Sequence, residues 1–227
     1  MRTVVFDLDG TLADTSGDLI AAANCCFRAI GAGDLLDPVA DAATALRGGR
    51  AMLALGFARL GHGDAAAEID RQYPRLLEAY AAAIDRHTVL YPGAMAAVAA
   101  LAEGGCRVAI CTNKPERLAR LLLARLGVLD AFGAVVGADT LPVRKPDPAP
   151  LREAVRRAGG LPPGAGGRAL LVGDSVTDRD TSRAAGVPSV LVAFGPAGAE
   201  VAALAPDAVI ADFAELPEVV ERLLGPA

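Results

Sequence analysis

The chain has no tryptophan, and six phenylalanines and three tyrosines are its only aromatic residues among 227. A protein that holds nucleic acid needs rings on which bases stack and a basic groove that follows the phosphates. With few rings and a net charge of -5, nucleic acid is not an expected partner, and neither is an anionic membrane surface. No apolar run reaches the roughly 18 residues of a membrane-spanning helix, and no basic, apolar leader follows Met1. The expectation is a soluble, cytoplasmic protein. Cysteine is scarce too: Cys25 and Cys26 are adjacent, Cys106 and Cys111 lie near and within an apolar run, and no C-x2-C pair is present. That pattern argues against a zinc site and for reduced, structural thiols in a reducing compartment. The two histidines, His62 and His87, are isolated, so neither a histidine metal site nor a catalytic triad is expected.

What the chain has in quantity is apolar sequence, at 53%. Short apolar runs at 3–6, 107–111, 134–136, 169–172, 189–193 and 208–210 read as strands covered on both faces. Helical patterns at 94–102, 116–126, 149–158 and 178–185 alternate with them, two closed by Gly127 and Gly186. This alternation predicts an α/β fold, a doubly wound parallel sheet of Rossmann-like type. One interval breaks the rhythm, because about 90 residues separate the first strand from the helix near Ala94, far more than a crossover needs. The alanine-rich, helix-patterned stretch within it predicts an inserted all-helical cap domain at 17–87, with the core formed by 1–16 and 88–227. Hinges are expected near 13–17 and 87–93. The segment 159–167 reads as a turn-rich surface loop.

In an open parallel sheet, ligands bind beyond the carboxyl ends of the strands. There the first run ends in Asp7-Leu8-Asp9-Gly10-Thr11, the second in Thr112-Asn113-Lys114, and the fourth in Gly173-Asp174-Ser175 with Asp178 close behind. Lys145 comes after the third run. Two positions apart on what begins as a strand, Asp7 and Asp9 leave on one face and repel. They coexist if a divalent cation and an ammonium neutralise them, or if one keeps its proton. With Asp174 added, the oxygen-rich set suits Mg2+, which keeps waters and accepts a substrate phosphate. The lysines sharpen this: the chain has 20 arginines and two lysines, and both lysines fall on this rim, each before a proline. A compact ammonium suits a place among carboxylates and phosphate oxygens. A carboxylate nucleophile, a second carboxylate able to hold a proton, Mg2+, a lysine and a hydroxyl are the parts for phosphoryl transfer through an aspartyl phosphate.

These motifs resemble those of the haloacid dehalogenase superfamily of phosphatases, in its phosphoglycolate phosphatase-like branch. The resemblance rests on FDLDGTLADT from Phe6, YPGAM at Tyr91, CTNKP at Cys111, RKPDP at Arg144 and VGDSVTDRDTSRAAG from Val172, and it spans nearly the whole chain. It implies a haloacid dehalogenase-type core with a helical cap, Asp7 as nucleophile and Asp9 as general acid and base. Thr112 and Lys145 would hold the transferring phosphoryl group, helped by Asn113 and the Asp9 backbone amide. Mg2+ would be bound by Asp7, the Asp9 carbonyl and Asp174, with Asp178 as a ligand or as the partner of Lys145. Lys114, in a TNKP rather than a shorter Ser-Asn form, points to the phosphoglycolate phosphatase branch and to substrate binding.

In the cap, Leu46-Arg47-Gly48-Gly49-Arg50 resembles a substrate-facing glycine-rich turn, with Arg47 as a substrate-binding candidate for a carboxylate. Phe194-Gly195-Pro196 departs from the Gly-aromatic pair of many relatives. The implied activity is Mg2+-dependent hydrolysis of a small phosphorylated metabolite, such as 2-phosphoglycolate, by a monomer or homodimer. Two alternatives remain: a sugar-phosphate mutase resembling beta-phosphoglucomutase, which would use the same aspartates, and a receiver-like phospho-acceptor module. The Asp-x-Asp and the inserted segment count against the receiver.

Overall fold

The computed structural model describes residues 1–161 and 167–226. Part of the stretch 159–167, expected to be a surface loop, lies outside the described residues. The chain divides into two compact units, Met1–Ala13 with Leu90–Ala227, and Asp14–Val89. It passes between them through the two-residue strands β2 (Ala13–Asp14) and β3 (Val89–Leu90).

The first unit is built on a six-stranded sheet in the order β5-β4-β1-β6-β7-β8. Its strands are β1 (Arg2–Phe6), β4 (Cys106–Cys111), β5 (Ala134–Val136), β6 (Arg168–Gly173), β7 (Ser189–Val192) and β8 (Ala208–Ile210). Every pairing between neighbours is parallel. All five residues of β1 are buried, as a parallel strand covered on both faces requires. Side chains alternate across the sheet: Val5, Ala109, Cys111 and Leu171 join a buried cluster with Leu151, Ala154 and Val155 of helix α7 (Ala149–Arg157). The intervening Val4, Phe6, Val108 and Ile110 are buried as well. The remaining helices of this unit are α5 (Ala94–Glu103), α6 (Glu116–Arg125), α8 (Val176–Ala185) and α9 (Leu216–Leu224).

Two details differ from the sequence-based expectation. Helix α8 starts at Val176 rather than 178, because the Ser175 hydroxyl caps Asp178 N and the Asp178 carboxylate answers the Ser175 amide in a capping box. Helix α9 is an additional element, whose Leu216, Val219, Val220 and Leu224 form the buried face of an amphipathic helix.

The second unit is helical: α1 (Ser16–Ala29), α2 (Ala42–Ala45), α3 (Gly49–Arg59) and α4 (Ala66–Ala82). Its own polar groups tie it together. Asp18 accepts from His87 N, Thr88 N and the Thr88 hydroxyl, fixing the returning segment to the start of α1. Arg59 grips Asp41 with two hydrogen bonds of 2.6 and 2.8 Å, which holds the Asp41 carboxyl below its ordinary range. Phe27 meets Phe57 edge to face at 5.5 Å, and the His62 ring stacks on Phe57 at 5.7 Å.

Helix α3 approaches α1 closely only because residue 56 is glycine: a Cβ there would lie 2.1 Å from the Phe27 ring. Gly56→Ala is expected to destabilise the protein by about 1–3 kcal/mol through overpacking, despite alanine's better helix propensity. Thermal unfolding checks this, and a more stable variant would refute it.

Candidate active site

The site is assembled where adjacent strands end. β1 lies between β4 and β6, with Phe6 in register with Ile110 and Val172. Asp7 therefore falls level with Cys111 and Gly173, with Thr112 and Asp174 one residue further along their strands. The Asp7 amide still donates to the Val172 carbonyl at 2.9 Å, so its backbone is anchored as the last rung of the sheet. Beyond it the chain turns sharply at Gly10, whose φ of +78° favours glycine, and a Cβ there would sit 2.6 Å from Asp174 Oδ2.

Each of the first two aspartates has its own lysine. Lys145 Nζ stands 3.0 Å from Asp7 Oδ2 and 2.6 Å from Asp178 Oδ1, with the lysine side chain only 2% exposed. Lys114 Nζ stands 2.7 Å from Asp9 Oδ1, and its side chain is 3% exposed. Asp7 Oδ1 also accepts from Leu8 N at 2.7 Å. Asp174 Oδ1 accepts from the Thr11 hydroxyl at 2.8 Å. Asp178 Oδ2 accepts from the amides of Asp174 and Ser175 and from the Ser175 hydroxyl. The Thr112 hydroxyl accepts from Lys114 N at 3.1 Å, leaving its proton available to donate. Asn113 is exposed, and its Nδ2 donates to the Lys145 carbonyl at 3.0 Å, bracing the segment that carries the lysine. Arg47 belongs to the helical unit, on an exposed turn between α2 and α3.

Burial pushes the Asp7 carboxyl up to about 6; Lys145 opposes this, while Asp178 and Asp9 add to it. Burial likewise raises Asp174 well above the ordinary carboxylate range, followed by the charges of Asp178 and Asp7. For Lys145, burial disfavours the charge, but Asp178 and Asp7 outweigh it and hold the ammonium protonated. The cleft thus carries more negative charge than its lysines neutralise. Among the described residues, Asp7, Asp174 and Asp178 place carboxylate oxygens within 4.8 Å of one another. An all-oxygen, electron-rich set of this kind fits a hard divalent cation such as Mg2+. Asp178 is the most heavily committed of the three, taking Lys145 on one oxygen and two amides and the Ser175 hydroxyl on the other. Buried beside this charge, the Cys111 thiol is pushed up to about 12 and stays unreactive at neutral pH. All four cysteines are free, with Cys25 exposed and the others buried.

A family model described as haloacid dehalogenase-like hydrolase matches residues 1–186. The chain belongs to this family. Within it, the chain is 40% identical over 224 residues to a phosphoglycolate phosphatase of Mesorhizobium japonicum, covering 97% of this chain and 96% of that one. It is 42% identical over 223 residues to a phosphoglycolate phosphatase of Rhodospirillum rubrum, covering 95% and 89%. The fold agrees with the crystal structure of a predicted phosphoglycolate phosphatase from Haemophilus somnus, with a TM-score of 0.81, 24% identity and 96% of each chain covered. It also agrees with that of CbbY from Rhodobacter sphaeroides in complex with phosphate, with a TM-score of 0.73, 24% identity, and 94% and 95% covered. The chain is therefore a hydrolase with the haloacid dehalogenase-type α/β fold. No described helix is long and apolar enough to cross a membrane.

The structure gives contacts in this hydrolase site to residues that the sequence analysis names only as parts of motifs. Thr11 holds Asp174, and Ser175 holds Asp178. Gly173 and Gly195 let backbone come close: a Cβ on Gly173 would lie 2.3 Å from Asp178, and one on Gly195 2.8 Å from the Gly10 carbonyl. Ser175 has a legible signal in the S-x-x-D capping pattern. Gly195 has none, because its neighbour Gly10 is remote in sequence. At the adjoining Phe194, the ring packs between Tyr91 at 5.1 Å and Phe213 at 4.9 Å.

Proposed function

We propose that this hydrolase is a Mg2+-dependent phosphatase that releases phosphate from a small phosphomonoester, 2-phosphoglycolate or a close analogue, through an aspartyl phosphate on Asp7. The observation that carries this reading is the pair Asp7 and Asp9, two residues apart at the end of β1, each against a buried lysine. The names of the two relatives, both phosphoglycolate phosphatases at 40% and 42% identity, support the substrate class.

An Asp7 carboxylate oxygen attacks the phosphorus, forming a P–O bond as the P–O bond to the leaving group breaks. Asp9 gives its proton to the departing oxygen. Water then attacks the phosphorus of the acyl phosphate, Asp9 takes the water's proton, and Asp7 is regenerated as phosphate leaves. Thr112 and Lys145 hold the transferring phosphoryl oxygens, and Asn113 keeps the Lys145 segment in place. Mg2+ would be held by Asp7, the Asp9 carbonyl and Asp174, with Asp178 anchoring Lys145, and when bound it offsets charge on the phosphoryl oxygens. Arg47, in the helical unit, is proposed to pair with a substrate carboxylate.

The test is phosphate release from 2-phosphoglycolate and from p-nitrophenyl phosphate. Release is expected with Mg2+, lost in EDTA and restored by excess Mg2+. Turnover that survives EDTA would remove the metal from the proposal. Transfer of the phosphoryl group back to a sugar, with no net phosphate, would favour the mutase.

A further inference from the structure

We infer that the cleft between α5 and α9, at the end of the sheet opposite the candidate active site, binds a small monocarboxylate with a short apolar chain, its carboxylate held by Arg2. This goes beyond the phosphatase reading and does not depend on it.

Arg2 opens β1 and Asp7 follows that strand's last residue, so five steps of roughly 3.3 Å put the two about 16 Å apart. At the Arg2 end lies a cavity of about 310 Å³, at the lower end of the range for ligand pockets. Its lining joins Arg2 and Cys106, the first residues of β1 and β4, to Ala100 and Leu101 of α5 and to Val220 and Glu221 of α9.

Arg2 is 8% exposed. Its terminal nitrogens donate to the Gly225 carbonyl at 3.0 Å and the Gly104 carbonyl at 2.7 Å, just past the ends of α9 and α5. Its Nε is buried with no acceptor. Among the described residues no carboxylate forms an ion pair with it, whereas Lys114 and Lys145, buried like it, each meet at least one aspartate. The two carbonyls carry only partial charge, and a buried cation without a full counter-charge is costly. A carboxylate is the partner whose planar shape a guanidinium matches best. Burial pushes the Cys106 thiol up and the Arg2 charge opposes the rise, which sets the guanidinium against this wall of the cavity.

The rest of the lining selects the other end of the ligand. Leu101 and Val220 are buried and, with Ala100, form an apolar wall for a chain of a few carbons. Glu221 is exposed and repels a second negative charge. A phosphate dianion or a dicarboxylate is therefore disfavoured, which separates this ligand from that of the candidate active site.

The probe is butyrate, compared with 1-butanol as a neutral analogue and succinate as a dianion. Each is titrated by ligand-observed NMR against wild type, Arg2→Gln, Ala100→Leu and Glu221→Gln. Butyrate is expected to bind wild type at least about 10-fold more tightly than butanol, and Arg2→Gln is expected to remove that advantage. Ala100→Leu should weaken butyrate by filling the cavity, and Glu221→Gln should admit succinate while keeping butyrate. Inorganic phosphate with Mg2+ should not displace butyrate. The inference is overturned if butyrate does not bind, binds no better than butanol, is displaced by phosphate, or binds Arg2→Gln as it binds wild type. Ala100 and Glu221 are exposed, so their variants decide the matter if Arg2→Gln does not fold. Unchanged butyrate binding in Ala100→Leu, with succinate still rejected by Glu221→Gln, would then overturn the site.

Discussion

Asp7→Asn is expected to reduce phosphate release by roughly 10⁴-fold or more, because an amide is not a competent nucleophile toward phosphorus. The same substitution is expected to make the metal-free protein harder to unfold at neutral pH. The Asp7 carboxyl titrates near 6 in the folded chain, against an ordinary 3.8, chiefly because it is buried, with Lys145 only partly offsetting the burial. At about 1.4 kcal/mol per pH unit, ionising it in place costs up to about 3 kcal/mol. The sign comes from proton binding. Between pH 3.8 and about 6 the folded state keeps a proton that the unfolded chain has lost, so stability falls as pH rises through that window, and the cost is complete above it. Asparagine does not ionise and escapes the cost. In EDTA at about pH 7.5 the variant should melt higher than wild type, and the gap should close below about pH 4. Mg2+ should raise the melting temperature of the wild type more than that of the variant, since cation binding draws on the ionised carboxylate. An Asp7→Asn protein that turns over at near the wild-type rate would sink the aspartyl-phosphate mechanism. One that is less stable than wild type in EDTA at that pH would show that Asp7 is held by its contacts rather than strained by them.

That trade between stability and chemistry explains why so much of the site is legible in the sequence. A strand covered on both faces is a continuous apolar run, and the point where polarity returns marks the carboxyl end of the strand. Asp7, Thr112 and Asp174 can be found by reading the first polar residues past each run, and the rarity of lysine picks out Lys114 and Lys145. The contacts that stay hidden join residues far apart in the chain. Nothing local in Thr11 says that it will hold Asp174, and nothing in Gly195 says that the Gly10 carbonyl will lie against it. The pairing of Lys114 with Asp9 and of Lys145 with both Asp7 and Asp178 is also a product of folding, since spacing gives the cluster and not the partners. Helix α9 is a different case. Its apolar face at Leu216, Val219, Val220 and Leu224 and the Asp212–Glu215 capping box just before it are readable signals, lost behind the stronger strand pattern upstream.

Asp9→Asn separates the second carboxylate from the first. Asparagine keeps the backbone carbonyl proposed as a Mg2+ ligand and a side chain of nearly the same shape, but it can neither give a proton to the leaving oxygen nor take one from water. The loss should fall on kcat, by about 10²- to 10⁴-fold, with no rise in KM. Leaving-group chemistry sharpens the test. p-Nitrophenolate departs without help, whereas the alkoxide of glycolate needs a proton as the P–O bond breaks. The variant should therefore lose less in the formation of the phosphoenzyme from p-nitrophenyl phosphate than from 2-phosphoglycolate. Hydrolysis of the aspartyl phosphate should be slowed for both, because the water's proton has nowhere to go. A rapid-mix experiment with p-nitrophenyl phosphate should then show a burst of p-nitrophenolate close to one per active site, before slow turnover. Wild type should show a smaller burst or none. A shift confined to KM, with kcat intact on both substrates, would instead make Asp9 a binding group and leave the proton transfer to be assigned elsewhere in the cleft.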